Sequence, residues 1–190
     1  MKTLVVEHDW QHWWDNRLRA LEEVFGPQDE QVFHSLIPFD VGGVADVLVF
    51  KHHLDGVVYV TADLIGSQEQ LPTEVGNYEL MMCHRGESEI GPNLISKLAV
   101  YTCEDRLKPG DTMNIERAAP VGSTVTALLF LKYADLTVLD QKAGVLLCMG
   151  ITSDELDWCQ LGRTNELIRA LKKQKVYPFT EWRRKSVLAV

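Results

Sequence analysis

The sequence predicts an α+β fold, and three observations predict it. Apolar residues at helical spacing open and close the chain. Between them, β-branched runs come in groups rather than alternating one by one with helices, which a doubly wound sheet would require. Leu54-Asp55-Gly56 sets a hairpin signal between two of these runs.

Element by element, Trp10, Trp14, Leu18, Leu21 and Phe25 fall on one helical stripe, with Asp9 placed to cap it and Gly26-Pro27 to stop it. Residues 32–38 read as a strand, and Val41-Gly42-Gly43 as a turn. Residues 44–50 and 57–64 read as the paired strands around Asp55-Gly56. A polar loop over 65–76 leads to a strand over 78–84. Gly91-Pro92-Asn93 opens a helix with Leu94, Ile95, Leu98 and Tyr101 inward, and Lys108 to Asp111 make a turn. Residues 124–133 and 138–149 supply further strands. Thr152 and Glu155 have capping-box spacing for a last helix carrying Leu156, Cys159, Leu167 and Leu171, which Gly162 kinks and Pro178 ends. No repeat, linker or low-complexity tract divides the 190 residues, so one domain over 1–190 is expected.

Composition narrows the function. The hydrophobic share of 46% and charged share of 24% suit a globular chain, with no apolar run long enough for a membrane helix. An N-terminus that turns acidic at Glu7 is unlike a signal peptide, so a cytoplasmic setting is expected. The net charge of -8 divides as -9 over residues 1–75, -5 over 76–162 and +6 over 163–190. An acidic body argues against nucleic-acid binding, which needs cationic surface.

Candidate chemistry is sparse. Asp63 and Glu79 each place a carboxylate in a strand-like run, as a general acid/base pair would. The alternative is a carboxylate that is exposed or hydrogen-bonded to backbone at the sheet's rim. His8 and His12 are four apart but lack a third ligand, and adjacent His52 and His53 point to opposite sides of a strand. The four cysteines form no Cys-x-x-Cys, Gly122-Ser123-Thr124 lacks a nucleophile elbow, and no phosphate loop or dinucleotide fingerprint occurs. No cofactor, metal or catalytic residue is therefore expected. Aromatic residues are more suggestive. If Trp10 and Trp14 face the core, Trp13 points about 100° away from Trp14. Trp182-Arg183-Arg184-Lys185 offers a second aromatic and cationic patch. Trp13, Trp182 and Arg183 are the candidate partner-binding anchors.

The run Val58-Tyr59-Val60-Thr61-Ala62-Asp63-Leu64-Ile65-Gly66, followed by Tyr78-Glu79-Leu80-Met81, resembles the suppressor-of-fused (SUFU) domain family. The Leu-Lys-Pro-Gly-Asp turn at 107–111, the apolar strand at 127–131, Ile151 to Leu156 and Gly162 to Leu167 agree with it, over about residues 30–175. The resemblance implies a mixed, mostly antiparallel sheet flanked by helices, with no established catalysis. It also implies a protein partner, and, in the manner of bacterial single-domain relatives, an immunity protein holding a toxin. A cationic toxin would suit the acidic body, and a homo-oligomer is compatible. In this reading Thr61, Asp63 and Glu79 belong to the family's sheet signature and hold backbone. The competing reading is a hydrolase that uses Asp63 and Glu79.

Overall fold

The structure, a computed structural model, describes residues 3–188, with side chains from residue 11 onward. Helix α1 (Thr3–Phe25) precedes strands β1 (Val32–Phe33), β2 (Val47–Phe50), β3 (Val57–Thr61) and β4 (Asn77–His84). Helix α2 (Ile90–Tyr101) follows, then β5 (Thr112–Asn114), β6 (Val125–Val138), β7 (Gln141–Thr152), α3 (Ser153–Gln160) and α4 (Thr164–Lys173).

All seven strands form one sheet in the order β1-β2-β3-β4-β7-β6-β5. Only β4 and β7 run parallel; every other pair is antiparallel, so the sheet is mixed and mostly antiparallel. The central strands are buried along nearly their whole length because both faces are covered, which explains their unbroken apolar runs. On one face Leu21 and Phe25 of α1 and Leu167 and Leu171 of α4 pack against Val58, Val60, Met81 and Leu147. On the other, Ile95, Leu98 and Ala99 of α2 pack against Tyr59, Leu80, Met82 and Phe130.

Local deviations from the sequence reading have physical causes. Helix α1 begins at Thr3, so Asp9 lies inside it instead of capping it; no Pro or Gly in residues 3–9 stops the helix from propagating backwards. The side chains of His8 and Trp10 lie outside the described residues. The expected strand over 32–38 pairs only at Val32 and Phe33, because the carboxylate of Asp46 captures the Ser35 amide at 2.7 Å and the ring of His34 at 2.8 Å, turning the chain away. Gly162, at φ +77°, splits the last helix into α3 and α4 rather than bending one helix. Strand β5 falls between the turn at 108–111 and the strand from 124, where the sequence assigns no element; three residues are too few for a period-2 pattern to show. Among the described residues no helix is long and apolar enough to cross a membrane.

Candidate functional site

Glu79 lies in the middle of the sheet with 0% exposure. Its Oε1 accepts the Leu64 and Ile65 amides at 3.0 and 2.8 Å, and its Oε2 accepts the Thr61 hydroxyl at 2.6 Å. Thr61 in turn accepts the Leu80 amide at 2.8 Å. The carboxylate therefore holds the turn that follows β3. Burial pushes its pKa up to about 7, against the pull of Arg17 and of the hydrogen-bond donors.

The same turn is gripped from α1. The Arg17 guanidinium donates to the Ile65 carbonyl at 2.7 Å and stands 3.8 Å from Asp63. Asp63 accepts the Asp46 amide at 2.7 Å; burial raises its pKa, opposed by that amide and by Arg17. Trp13 lies flat on Gly66, where an added Cβ would stand 2.5 Å from the ring, and φ of +93° also favours glycine. Asp63 and Glu79 are neighbours, but both are occupied with backbone and Glu79 is closed to solvent, so a substrate has no access to the pair. Glu79 is not on a solvent face, the setting its charge first suggests. Arg17 was not singled out from sequence, although an arginine three residues after Trp14 and four after Trp13 on an apolar stripe is a readable signal.

The surface offers a different arrangement at β5. This strand is a free edge of the sheet. Asp111 accepts the Phe130 amide at 2.9 Å, Ile115 donates to Thr126 at 2.8 Å, and Met113 is registered with Leu128. By antiparallel alternation the main-chain groups of Thr112 and Asn114 point away from the sheet. Beside them runs an open groove of about 670 Å³ between α2 and β5, with Leu94, Leu98, Tyr101, Met113 and Ile115 among its walls. A second hollow of about 490 Å³ continues past Tyr101 to Asp105 and Asp111.

The anchors named from sequence do not meet. Trp13 packs against the sheet face that carries α1, and Trp182 against the face that carries α2. Trp182 rests beside His84, ring centroids 5.9 Å apart, and its carbonyl accepts the Thr124 amide at 2.8 Å. Arg183 is exposed and donates to the Val121 carbonyl at 3.2 Å. Arg184 does not belong to an exposed cationic patch: it is 7% exposed and forms a fork onto Glu155, itself 0% exposed. Glu155 also accepts the Val187 and Thr152 amides at 2.8 and 3.0 Å, so the pair ties the last residues to the start of α3.

The family model of the suppressor of fused protein matches residues 45–185. The chain belongs to the suppressor of fused family. A SUFU homolog from Neisseria gonorrhoeae FA 1090 is similar in structure at 17% identity, with a TM-score of 0.67, covering 95% of this chain and 99% of that one. A chain of a Sufu–Fu complex matches at 14% identity and TM-score 0.70, covering 92% of each. Drosophila Suppressor of Fused matches at 15% identity and TM-score 0.68, covering 90% of this chain and 50% of its own length. No curated protein sequence matches. Within the SUFU match lie Thr61, Asp63, Glu79, β5 with its groove, Trp182 and Arg183; Trp13 and Arg17 lie before it. The Glu79 cluster of this SUFU chain is thus completed by a helix outside the matched region.

Proposed function

We propose that this chain is a protein-binding domain that takes an extended segment of its partner as an added strand along β5. The observation that carries the reading is the outward main chain of Thr112 and Asn114 beside an apolar groove. Main-chain pairing supplies affinity, and alternate side chains of the segment enter the groove past Met113 and Tyr101. A structure of a similar chain in complex with Fu supports a protein as the partner class. The reading assigns no catalysis, since both central carboxylates hold backbone. The finer identity is an immunity protein holding a cationic toxin. Support for it comes from the net charge of -8 and from Asp105 and Asp111 at the end of the groove. A cytoplasmic setting is supported by four free cysteines, two of them buried.

The test is a Thr112→Pro variant. It removes one outward amide that β6 does not use, and proline is tolerated at such an edge. A partner recovered from the native source by affinity capture is then titrated against both forms. The reading expects a loss of affinity of about tenfold or more, with folding intact, and weaker association at high salt if the partner is cationic. Equal affinity for both forms would refute strand addition.

A further inference from the structure

Seven large apolar side chains stand exposed among the described residues, and three of them are close neighbours on one loop. Leu36, Ile37 and Val41 sit on the loop before β2, and Ile90 and Val100 on α2. Leu36 is 101% exposed, Val41 72% and Ile37 56%. Such clustering on one loop needs a cause beyond folding.

The loop is built, not slack. The Ser35 amide is held by Asp46, and the Pro38 carbonyl accepts the Val41 and Gly43 amides at 3.2 and 3.0 Å. Phe39 is buried in the cluster beneath α2. Gly43 meets the Ile37 carbonyl so closely that an added Cβ has no room. The three aliphatic side chains are therefore presented by a fixed backbone. The Ser96 carbonyl accepts the Ala45 amide at 3.3 Å, and the Ser96 hydroxyl donates to the Ala45 carbonyl, which fastens this loop to one flank of α2. The groove walled by Leu94, Leu98 and Tyr101 lies on the opposite flank, toward β5.

We propose that this face is a self-association surface. A second copy of the chain, related by a twofold axis over α2, seats Leu36, Ile37 and Val41 against the groove between α2 and β5 and receives the same contact in return. Two features select a second copy. Asp40 stands exposed among the three aliphatics, while Lys97, Arg117 and Glu116 are the charged residues along the groove between α2 and β5, with Asp105 and Asp111 in the hollow beyond Tyr101, so this stretch of the groove is complementary to the loop in charge as well as in polarity. The finger and the groove also flank one helix on one sheet face. A single rotation therefore satisfies both and closes the assembly as a dimer. An anionic membrane is disfavoured by Asp29, Glu30, Asp40 and Asp46 around the loop. The proposal does not rest on the peptide reading, since the groove is apolar whatever else enters it.

The experiment is sedimentation of the full chain over a concentration series, for wild type, Leu36→Asp, Asp40→Lys, Lys97→Glu and the double variant Asp40→Lys/Lys97→Glu. All three positions changed are exposed, and thermal melting checks that each variant folds. The proposal expects a monomer–dimer equilibrium. Leu36→Asp and each charge reversal should weaken it by about tenfold or more, and the double reversal should recover most of the loss. Several outcomes would overturn it: a monomer at every concentration, species growing beyond a dimer, a dimer indifferent to Leu36→Asp, or Leu36→Asp acting only on binding to vesicles or another protein.

Discussion

Thr61 donates its hydroxyl proton to the carboxylate of Glu79 across 2.6 Å, and both residues have 0% exposure. Together they close the turn after β3 from beneath, while Arg17 closes it from α1.

Glu79 links stability to pH. Its unfolded carboxyl ionises near 4.5 and its folded one near 7. The folded state therefore keeps a proton that the unfolded state loses, and the associated stability is fully present below 4.5 and gone above 7. The amount is about 3 kcal/mol. Glu79→Gln keeps the shape without the titration. Urea unfolding from pH 4.5 to 8 should show wild type losing stability relative to Glu79→Gln as pH rises. Parallel curves would contradict it.

His84 has the opposite sign. Burial holds its pKa down to about 4 from an ordinary 6.5, and its Nδ1 meets the Thr180 carbonyl at 2.7 Å. Its contribution is present above 6.5 and lost as pH falls through 4. Between 4.5 and 6.5 the two slopes offset each other. His84→Asn, which retains a donor for Thr180, should therefore gain stability relative to wild type as pH falls; a constant difference would show that His84 does not titrate in this way.

Arg17→Met leaves the Ile65 carbonyl unpaired and removes the cation beside Asp63 and Glu79. We expect a loss of about 1–3 kcal/mol and faster amide exchange at Leu64 and Ile65. The pH window of Glu79 should move upward, since Arg17 pulls that pKa down. Unchanged exchange at Leu64 and Ile65 would show that α1 does not hold the turn.

Arg184→Met strands a buried carboxylate at Glu155 and should cost about 3–5 kcal/mol. Glu155→Gln/Arg184→Met should recover part of that loss, because no charge then remains buried. A double variant no better than the single one would mean that the tail is held by packing of Val187 and Phe179 alone.

The legibility of this fold followed the length of its patterns. The Asp55-Gly56 hairpin and the long strands 125–152 carry β-branched residues over enough positions to show as strands, and the run 77–84 is apolar over enough positions to do the same. β5 and β1 have three and two residues, and both are made by tertiary pairing. Thr61, Asp63 and Glu79 were readable as a group through the family pattern, but Arg17, which completes the cluster, sits far away in sequence. The burial of Arg184 was hidden for the same reason: only the fold brings it to Glu155, and Trp182-Arg183-Arg184-Lys185 alone reads as one aromatic and cationic patch. Trp13 and Trp182 read alike in sequence, yet the sheet separates them.

The most direct test of partner recognition is amide exchange at β5 with and without the captured partner. The account predicts that the Thr112 and Asn114 amides exchange freely in the chain alone and become protected in the complex, while Met113, already directed at β6, changes little. Protection that falls elsewhere, such as on the basic face of α4, with Thr112 and Asn114 still exchanging freely, would contradict it.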